Sequence, residues 1–239
     1  MERNPLTATQ RSLFPMKRRN LTLGSWRAVA LGAVCWAQAM AAGAAPEPPS
    51  RIEALAALTS PDAGERRRGA LGLGAKGKME DAAALIAALR DDDELVRAIA
   101  EEAVWAVWSR SGDAQVDDLL KEGVAQMSGG RLHEAIETFT RIVERKPDFA
   151  EGWNKRATAY FLAGEYRRSL ADCDQTIKRN PQHFGALSGC GQIYLQLDDP
   201  DKALEYLRRA LAINPNLDGV ESIVEKLESF IVRRRRRSI

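Results

Sequence analysis

Apolar and polar positions in the second half of the chain recur with a spacing of 34 residues. Six columns of similar residues align over three consecutive copies without an insertion. The columns are Leu119/Trp153/Leu187, Gly123/Ala157/Gly191, Gln126/Tyr160/Tyr194, Ala135/Ser169/Ala203, Phe139/Cys173/Leu207 and Pro147/Pro181/Pro215. A period of this length indicates a repeat protein in which each copy is one supersecondary unit.

Each copy contains two stretches with the apolar spacing of an amphipathic helix, for example residues 150–163 and 166–179 on either side of Gly164. The glycine, alanine and serine columns let two helix backbones approach closely. The large apolar columns fill the layer between neighbouring pairs, and the proline ends the second helix. The pattern therefore predicts an all-α fold of stacked helical hairpins.

These columns resemble the tetratricopeptide repeat, whose pattern is W-x2-L-G-x2-Y, then A-x3-F, then P. The resemblance covers residues 116–217, as three repeats at 116–149, 150–183 and 184–217. It implies a right-handed helical-hairpin solenoid, closed by a cap helix over residues 218–232. The arginine run that follows is too charged to pack, so residues 233–239 are predicted to be a disordered basic tail.

Residues 51–112 repeat with a different spacing. Leu58/Leu89, Asp62/Asp93, Arg66/Arg97 and Leu73/Val104 each lie 31 residues apart. This segment resembles a pair of HEAT-like repeats, in which an Asp-rich turn opens a helix whose arginine pairs with that turn. Trp105 and Trp108 stand where the sister copy has glycines. We expect both to fill the junction with the first tetratricopeptide hairpin, and an exposed aromatic site for a partner is the alternative.

The N-terminus has the layout of a secretory signal peptide. Lys17, Arg18 and Arg19 precede an apolar stretch over residues 28–45, which contains small-residue cleavage sites and is followed by PEPPS. We therefore predict that residues 1–45 are removed and that the protein is exported to a bacterial periplasm. An organelle-targeting peptide and a membrane anchor are the alternatives.

Composition and motifs favour binding over catalysis. The formal net charge is +2, so a general affinity for nucleic acid is not expected. The two histidines, His133 and His183, have no cysteine or second histidine at helical spacing. Both are predicted to be solvated residues of turns. The chain has no phosphate-binding loop and no nucleophile motif, so we expect no enzyme activity, no catalytic residues, no metal and no cofactor.

Three cysteines are present, and Cys35 falls within the predicted signal peptide. The tetratricopeptide register places Cys173 in the second helix of repeat two and Cys190 in the first helix of repeat three. Those helices pack together in the family that the chain resembles. Two interpretations remain open, namely two buried inert thiols or a disulfide between Cys173 and Cys190 in an oxidising compartment.

In the family that the chain resembles, the first helix of each repeat lines the concave face and binds the partner. The register maps that face onto Leu120, Val124, Met127, Asn154, Thr158, Phe161, Ser188, Gln192 and Leu195. Family members that grip a terminal carboxylate use paired lysine, arginine and asparagine there. Asn154 stands alone here with Lys155 beside it, so an apolar peptide is the expected ligand.

The sequence therefore predicts an exported scaffold that binds a protein or peptide partner. A purely structural subunit of an envelope complex and an accessory that activates an enzyme are the alternatives. Two interpretations of the arginines at 233–237 remain open, namely a solvated tail that keeps the protein soluble and a weak contact with an anionic membrane surface.

Overall fold

The computed structural model describes residues 49–237 of the chain, so the predicted signal peptide at residues 1–45 lies outside the described residues. Within residues 49–237 all regular secondary structure is helical, which confirms the predicted all-α class. The helices are α1 Arg51–Ala57, α2 Ala63–Lys76, α3 Ala82–Ala88, α4 Glu94–Trp108, α5 Ala114–Ser128, α6 Leu132–Arg145, α7 Ala150–Leu162, α8 Tyr166–Arg179, α9 Phe184–Gln196, α10 Pro200–Ile213 and α11 Val220–Arg237, with a turn of 3-10 helix at Met79–Asp81.

The 34-residue period corresponds to three helical hairpins, α5–α6, α7–α8 and α9–α10, each of which packs against the next. The turns inside the hairpins are built alike. Gly130 and Gly164 have φ values of +76° and +79°, and Asp198 takes the equivalent place with φ +60°. Aspartate tolerates this left-handed conformation better than most residues, so the third turn keeps its geometry without glycine.

The small-residue columns allow close helix packing, as the sequence predicts. A Cβ atom on Gly123 would lie 2.4 Å from the ring of Phe139, and one on Gly191 would lie 2.6 Å from Leu207. In the second repeat Ala157 is the corresponding residue, and its carbonyl accepts a hydrogen bond at 2.7 Å from Ser169, which belongs to the other small-residue column. Side chains larger than these would force the two helices of a hairpin apart.

Cys173 on α8 and Cys190 on α9 are joined as a disulfide, with their Cα atoms 6.2 Å apart. Both residues are buried in the apolar cluster between the second and third repeats, with 2% and 0% of their surface exposed. The bridge therefore ties the second helix of one repeat to the first helix of the next.

The N-terminal helices form two pairs, α1–α2 and α3–α4, and α2 packs against α4. The 31-residue spacing recurs in their hydrogen bonds. Arg66 donates to the carbonyls of Ser60 and Pro61 at 3.1 and 3.0 Å. Arg97 donates to the carbonyls of Asp91 and Asp92 at 2.8 and 3.1 Å. The predicted pairing of each arginine with its turn is present, while membership of the HEAT-like class stays a prediction.

The prediction of a disordered tail at residues 233–239 is wrong for the part that the structure describes, because α11 continues to Arg237. The helix is anchored by Val220, Val224, Leu227 and Ile231, which are buried at helical spacing. Once this part is helical, each further residue adds a hydrogen bond without a new nucleus, and arginine is a good helix former. Asp201 also pairs with Arg234, and its carboxylate lies 3.8 Å from Arg235. Contact of these arginines with a membrane surface stays a prediction.

Between residues 49 and 237, no helix is both long enough and apolar enough to cross a bilayer.

The disulfide leads to a stability prediction. Reduction of the Cys173–Cys190 bridge, which spans 17 residues of sequence, is expected to lower the free energy of unfolding by about 3 kcal/mol, because it removes a constraint on the unfolded chain. Urea unfolding of the wild-type protein, followed by circular dichroism with and without reductant, measures this difference. The matched control is the double variant Cys173→Ala with Cys190→Ala, whose unfolding midpoint should not respond to reductant. Equal wild-type midpoints in the two buffers would contradict the prediction.

Candidate functional site

The nine residues predicted to line the first-helix face fall into three rows across α5, α7 and α9. One row is buried, since Leu120, Asn154 and Ser188 are only 7%, 8% and 9% exposed. The other two rows remain half-buried, and together we call them the open rows. They consist of Val124, Thr158 and Gln192 in one row and Met127, Phe161 and Leu195 in the other.

The open rows present uncharged chemistry. Val124 and Met127 pack at the edge of the core of the first two repeats. The ring of Phe161 lies 5.7 Å from that of Tyr166. The Thr158 hydroxyl donates to the carbonyl of Asn154 at 2.9 Å, so its hydrogen-bond donor is satisfied within its own helix. This surface can therefore contact an apolar segment over three helices without desolvating a charge.

A buried polar cluster lies beside the open rows, at the amino-terminal ends of α7 and α9. Glu151 is 1% exposed, and its carboxylate accepts hydrogen bonds from Asn154 at 3.0 Å and from His183 at 2.9 Å. The Lys155 ammonium lies 2.9 Å from the other carboxylate oxygen. Burial alone would raise the pKa of Glu151, but the Lys155 charge and the His183 hydrogen bond outweigh it and lower the pKa to about 2.

His183 is not the solvated turn residue that the sequence predicts, because it is fully buried. Its Nδ1 atom accepts a hydrogen bond from the backbone N–H of Ala186 at 3.0 Å and so caps α9. With Nδ1 as an acceptor, the neutral ring carries its proton on Nε2, which donates to Glu151. His133 is exposed, as predicted, but it lies in the first turn of α6 rather than in the turn before it.

The buried cluster also includes Asn154 and Lys155. Both side chains contact the Glu151 carboxylate. That the first-helix face does not bind an acidic chain terminus stays a prediction.

Trp105 and Trp108 pack against the start of α9, where the second and third repeats meet, rather than at the junction with the first. Trp108 stacks on His183 with ring centroids 4.4 Å apart and lies 5.0 Å from Phe184. Trp105 meets the same two rings edge-on at 5.4 and 5.3 Å. The prediction that both tryptophans fill the junction with the first hairpin is therefore wrong, because α4 packs against residues that are distant in sequence. Periodicity carries no signal for such a long-range contact.

Within residues 49–237, no cluster of three or more His, Cys, Asp or Glu side chains is arranged to hold a metal ion.

Comparison with known families and proteins identifies relatives. A family model described as tetratricopeptide repeat matches residues 120–175 and 155–218. A TPR repeat-containing protein of Rhizobium etli is 33% identical over 142 residues, which cover 58% of this chain and 69% of that protein. Hsp70-Hsp90 organizing protein 1 of Glycine max is 27% identical over 115 residues, which cover 46% of this chain but only 20% of that protein.

Two solved structures match about half of the chain. The first TPR of Spaghetti (RPAP3), bound to an HSP90 peptide, has 23% sequence identity and a TM-score of 0.48, and the match covers 50% of this chain and 96% of that one. The Sgt2 TPR domain from Aspergillus fumigatus has 22% identity and a TM-score of 0.49, with coverage of 52% and 83%.

The buried cluster predicts a specific response to pH. The pKa of Glu151 is lowered to about 2 in the folded protein, whereas the pKa of a glutamate in the unfolded chain is about 4.3. The ionised carboxylate therefore stabilises the fold at pH values above about 4.3. This contribution is lost as the pH falls toward 2. Glu151→Gln should lower the free energy of unfolding at pH 7 by about 3 kcal/mol, since it removes one partner of a buried pair. The difference from wild type should shrink between pH 5 and about pH 2.

Urea unfolding at a series of pH values measures this difference. The matched control is Glu137→Gln, which removes an exposed carboxylate from α6 and is expected to change stability by less than about 0.5 kcal/mol. A difference between wild type and Glu151→Gln that stays constant from pH 7 to pH 3 would contradict the assignment.

Proposed function

This chain belongs to the tetratricopeptide-repeat family, and from that premise we propose that it is a protein-binding scaffold that holds an apolar segment of a partner along the open rows. The observation that carries the proposal is the chemistry of those rows. Met127, Phe161 and Leu195 contribute one apolar side chain from each repeat and remain half-buried rather than fully covered.

The partner is proposed to be apolar rather than acidic. The soybean relative is named an Hsp70-Hsp90 organizing protein. This chain matches only 20% of that protein, so the role in the name is that of the relative. In this chain Lys155 and Asn154 are engaged by Glu151, and the open rows carry no charged side chain. An uncharged surface binds by excluding water from apolar area, so its ligand should be apolar as well.

Selection from a phage-displayed library of random peptides tests this proposal. Peptides enriched on the wild-type protein should be rich in apolar residues. The double variant Thr158→Arg with Gln192→Arg adds bulk and charge to one open row while leaving the apolar row in place. This variant should bind the selected peptides at least about tenfold more weakly, as measured by fluorescence anisotropy.

The control variant is Ala171→Arg, which places the same side chain at an exposed position of α8 and should bind as the wild type does. Circular dichroism checks that all variants keep their helices. Selected peptides that bind the folded double variant undiminished would contradict a site on the open rows. Failure to select any peptide would favour the alternative roles, a purely structural subunit of an envelope complex or an accessory of an enzyme.

The proposal includes export, which rests on the N-terminal sequence. The disulfide between Cys173 and Cys190 supports it, because disulfides persist in oxidising compartments. N-terminal sequencing of the protein recovered from the periplasm of an expressing bacterium is expected to begin after the small-residue sites near residue 45. An intact leader on protein that remains in the cytoplasm would contradict export.

A further inference from the structure

We infer that the C-terminal end of α11 is a helical arm that binds an anionic lipid surface through the phosphate groups of the lipid headgroups. We call this segment the arginine arm and define it as residues 232–237, which end α11 and contain five consecutive arginines. The arginine arm lies on a different helix from the open rows, so this inference does not depend on the proposed binding of a peptide there.

The arginine arm is exposed, unlike the helix face that precedes it. Ile231 is 5% exposed, whereas each residue from Val232 to Arg236 is exposed. At 1.5 Å per residue the arm is about 9 Å long. Successive residues of a helix are rotated by about 100°, so the arginines from 233 to 236 leave the helix in four different directions. An anionic surface therefore meets guanidinium groups from several directions of approach.

The charge of the chain is strongly polarised towards the arginine arm. Residues 49–232 contain 31 acidic and 24 basic residues, a net charge of −7, and the five arginines follow directly. Within α11 itself, Glu221, Glu225 and Glu228 all precede the arm. An anionic surface is therefore attracted by the end of the helix and repelled by the rest of the protein, so contact is confined to the arm.

This charge distribution favours a membrane over a nucleic acid. A single-stranded nucleic acid is bound along a positively charged groove that follows its backbone. Next to the arginine arm, however, the protein has a net negative charge. A membrane needs to contact only the end of one helix, and clusters of basic residues on a helix are attracted to anionic lipid headgroups.

Arginine is well suited to this ligand. Its planar guanidinium group presents paired N–H donors that match the oxygens of a phosphate. Cations in the last turn of a helix are also stabilised by the negative end of the helix dipole. The arginines therefore favour the helical form of the segment that presents them.

Asp201 is a competitor for the arginine arm within the same chain. Its carboxylate pairs with Arg234 and lies 3.8 Å from Arg235. The Asp201 side chain is 46% exposed, so this carboxylate can exchange the arginines for water. A lipid phosphate that binds either guanidinium group must compete with Asp201. Neutralising Asp201 should therefore strengthen binding to the membrane.

Co-sedimentation of the full chain with lipid vesicles tests the inference. The probe vesicles contain phosphatidylglycerol in phosphatidylcholine, and vesicles of phosphatidylcholine alone report any binding that does not need charge. The triple variant Arg233→Gln, Arg235→Gln and Arg236→Gln should bind the anionic vesicles at least about tenfold more weakly than the wild type. Binding of the wild type should also weaken as salt is added, because the contacts lie at the exposed surface.

The matched control removes the same charge from another part of the surface. Arg141→Gln, Arg167→Gln and Lys178→Gln together neutralise three exposed basic residues of α6 and α8 and should leave vesicle binding nearly unchanged. Circular dichroism checks that each variant keeps its helices. Undiminished binding of the arm variant, or an equal loss in the control, would overturn the inference. Tighter binding of the arm to a single-stranded oligonucleotide than to the vesicles would overturn the choice of a lipid ligand.

A second pair of variants distinguishes a helical arm beside α10 from an unstructured basic tail. Asp201→Asn should bind the anionic vesicles several-fold more tightly than the wild type, because it releases the guanidinium groups of the arm. Glu137→Gln removes the same charge from an exposed position of α6 and should bind as the wild type does. Equal binding of these two variants would overturn the inference that the arm competes with Asp201 for its ligand.

Discussion

A helical hairpin has one apolar face that it cannot bury by itself, and this constraint organises the described part of the chain. Each of the hairpins α5–α6 and α7–α8 buries that face against the next hairpin, and α11 covers the last one. Phe139 and Leu207 are fully buried, and each lies against a glycine on the facing helix of its own hairpin. Close approach at Gly123 and Gly191 brings the two helices of each of these hairpins into contact. The stack is therefore stable only as an array.

The seam between the second and third repeats combines three different interactions. The Cys173–Cys190 disulfide crosses it, and the buried hydrogen bond between Glu151 and His183 crosses it a second time. His183 in turn supports the stacked ring of Trp108. The disulfide ties α8 to α9, and the hydrogen bond ties α7 to the residue that caps α9, so both restrict the position of α9 relative to α7 and α8. A surface that spans these helices is accordingly preorganised, which lowers the entropy lost when a ligand binds.

The contacts of Glu151 also explain why the open rows of the first-helix face carry no charge. The charged residues of α7 that could have faced a ligand are used internally, since Glu151 holds Lys155 and Asn154. The Lys155 ammonium also lies 5.5 Å from the ring centroid of Trp105. Glu151 and Lys155 are therefore paired with each other inside the fold, while Met127, Phe161 and Leu195 remain half-buried. This supports the preference that we propose for an apolar partner.

The sequence by itself determined the features that repeat or that act locally. The 34-residue columns predicted the three hairpins, the small residues at Gly123 and Gly191 predicted close packing, and the spacing of Arg66 and Arg97 predicted the turn contacts of the N-terminal pairs. Only the tertiary structure decided that His183 is buried, that the tryptophans of α4 dock at the start of α9 and that the terminal arginines continue a helix. Periodicity reports which face of a helix is apolar, because burial recurs with each turn. It cannot report which distant surface covers that face, since this depends on how the separate helices meet in space.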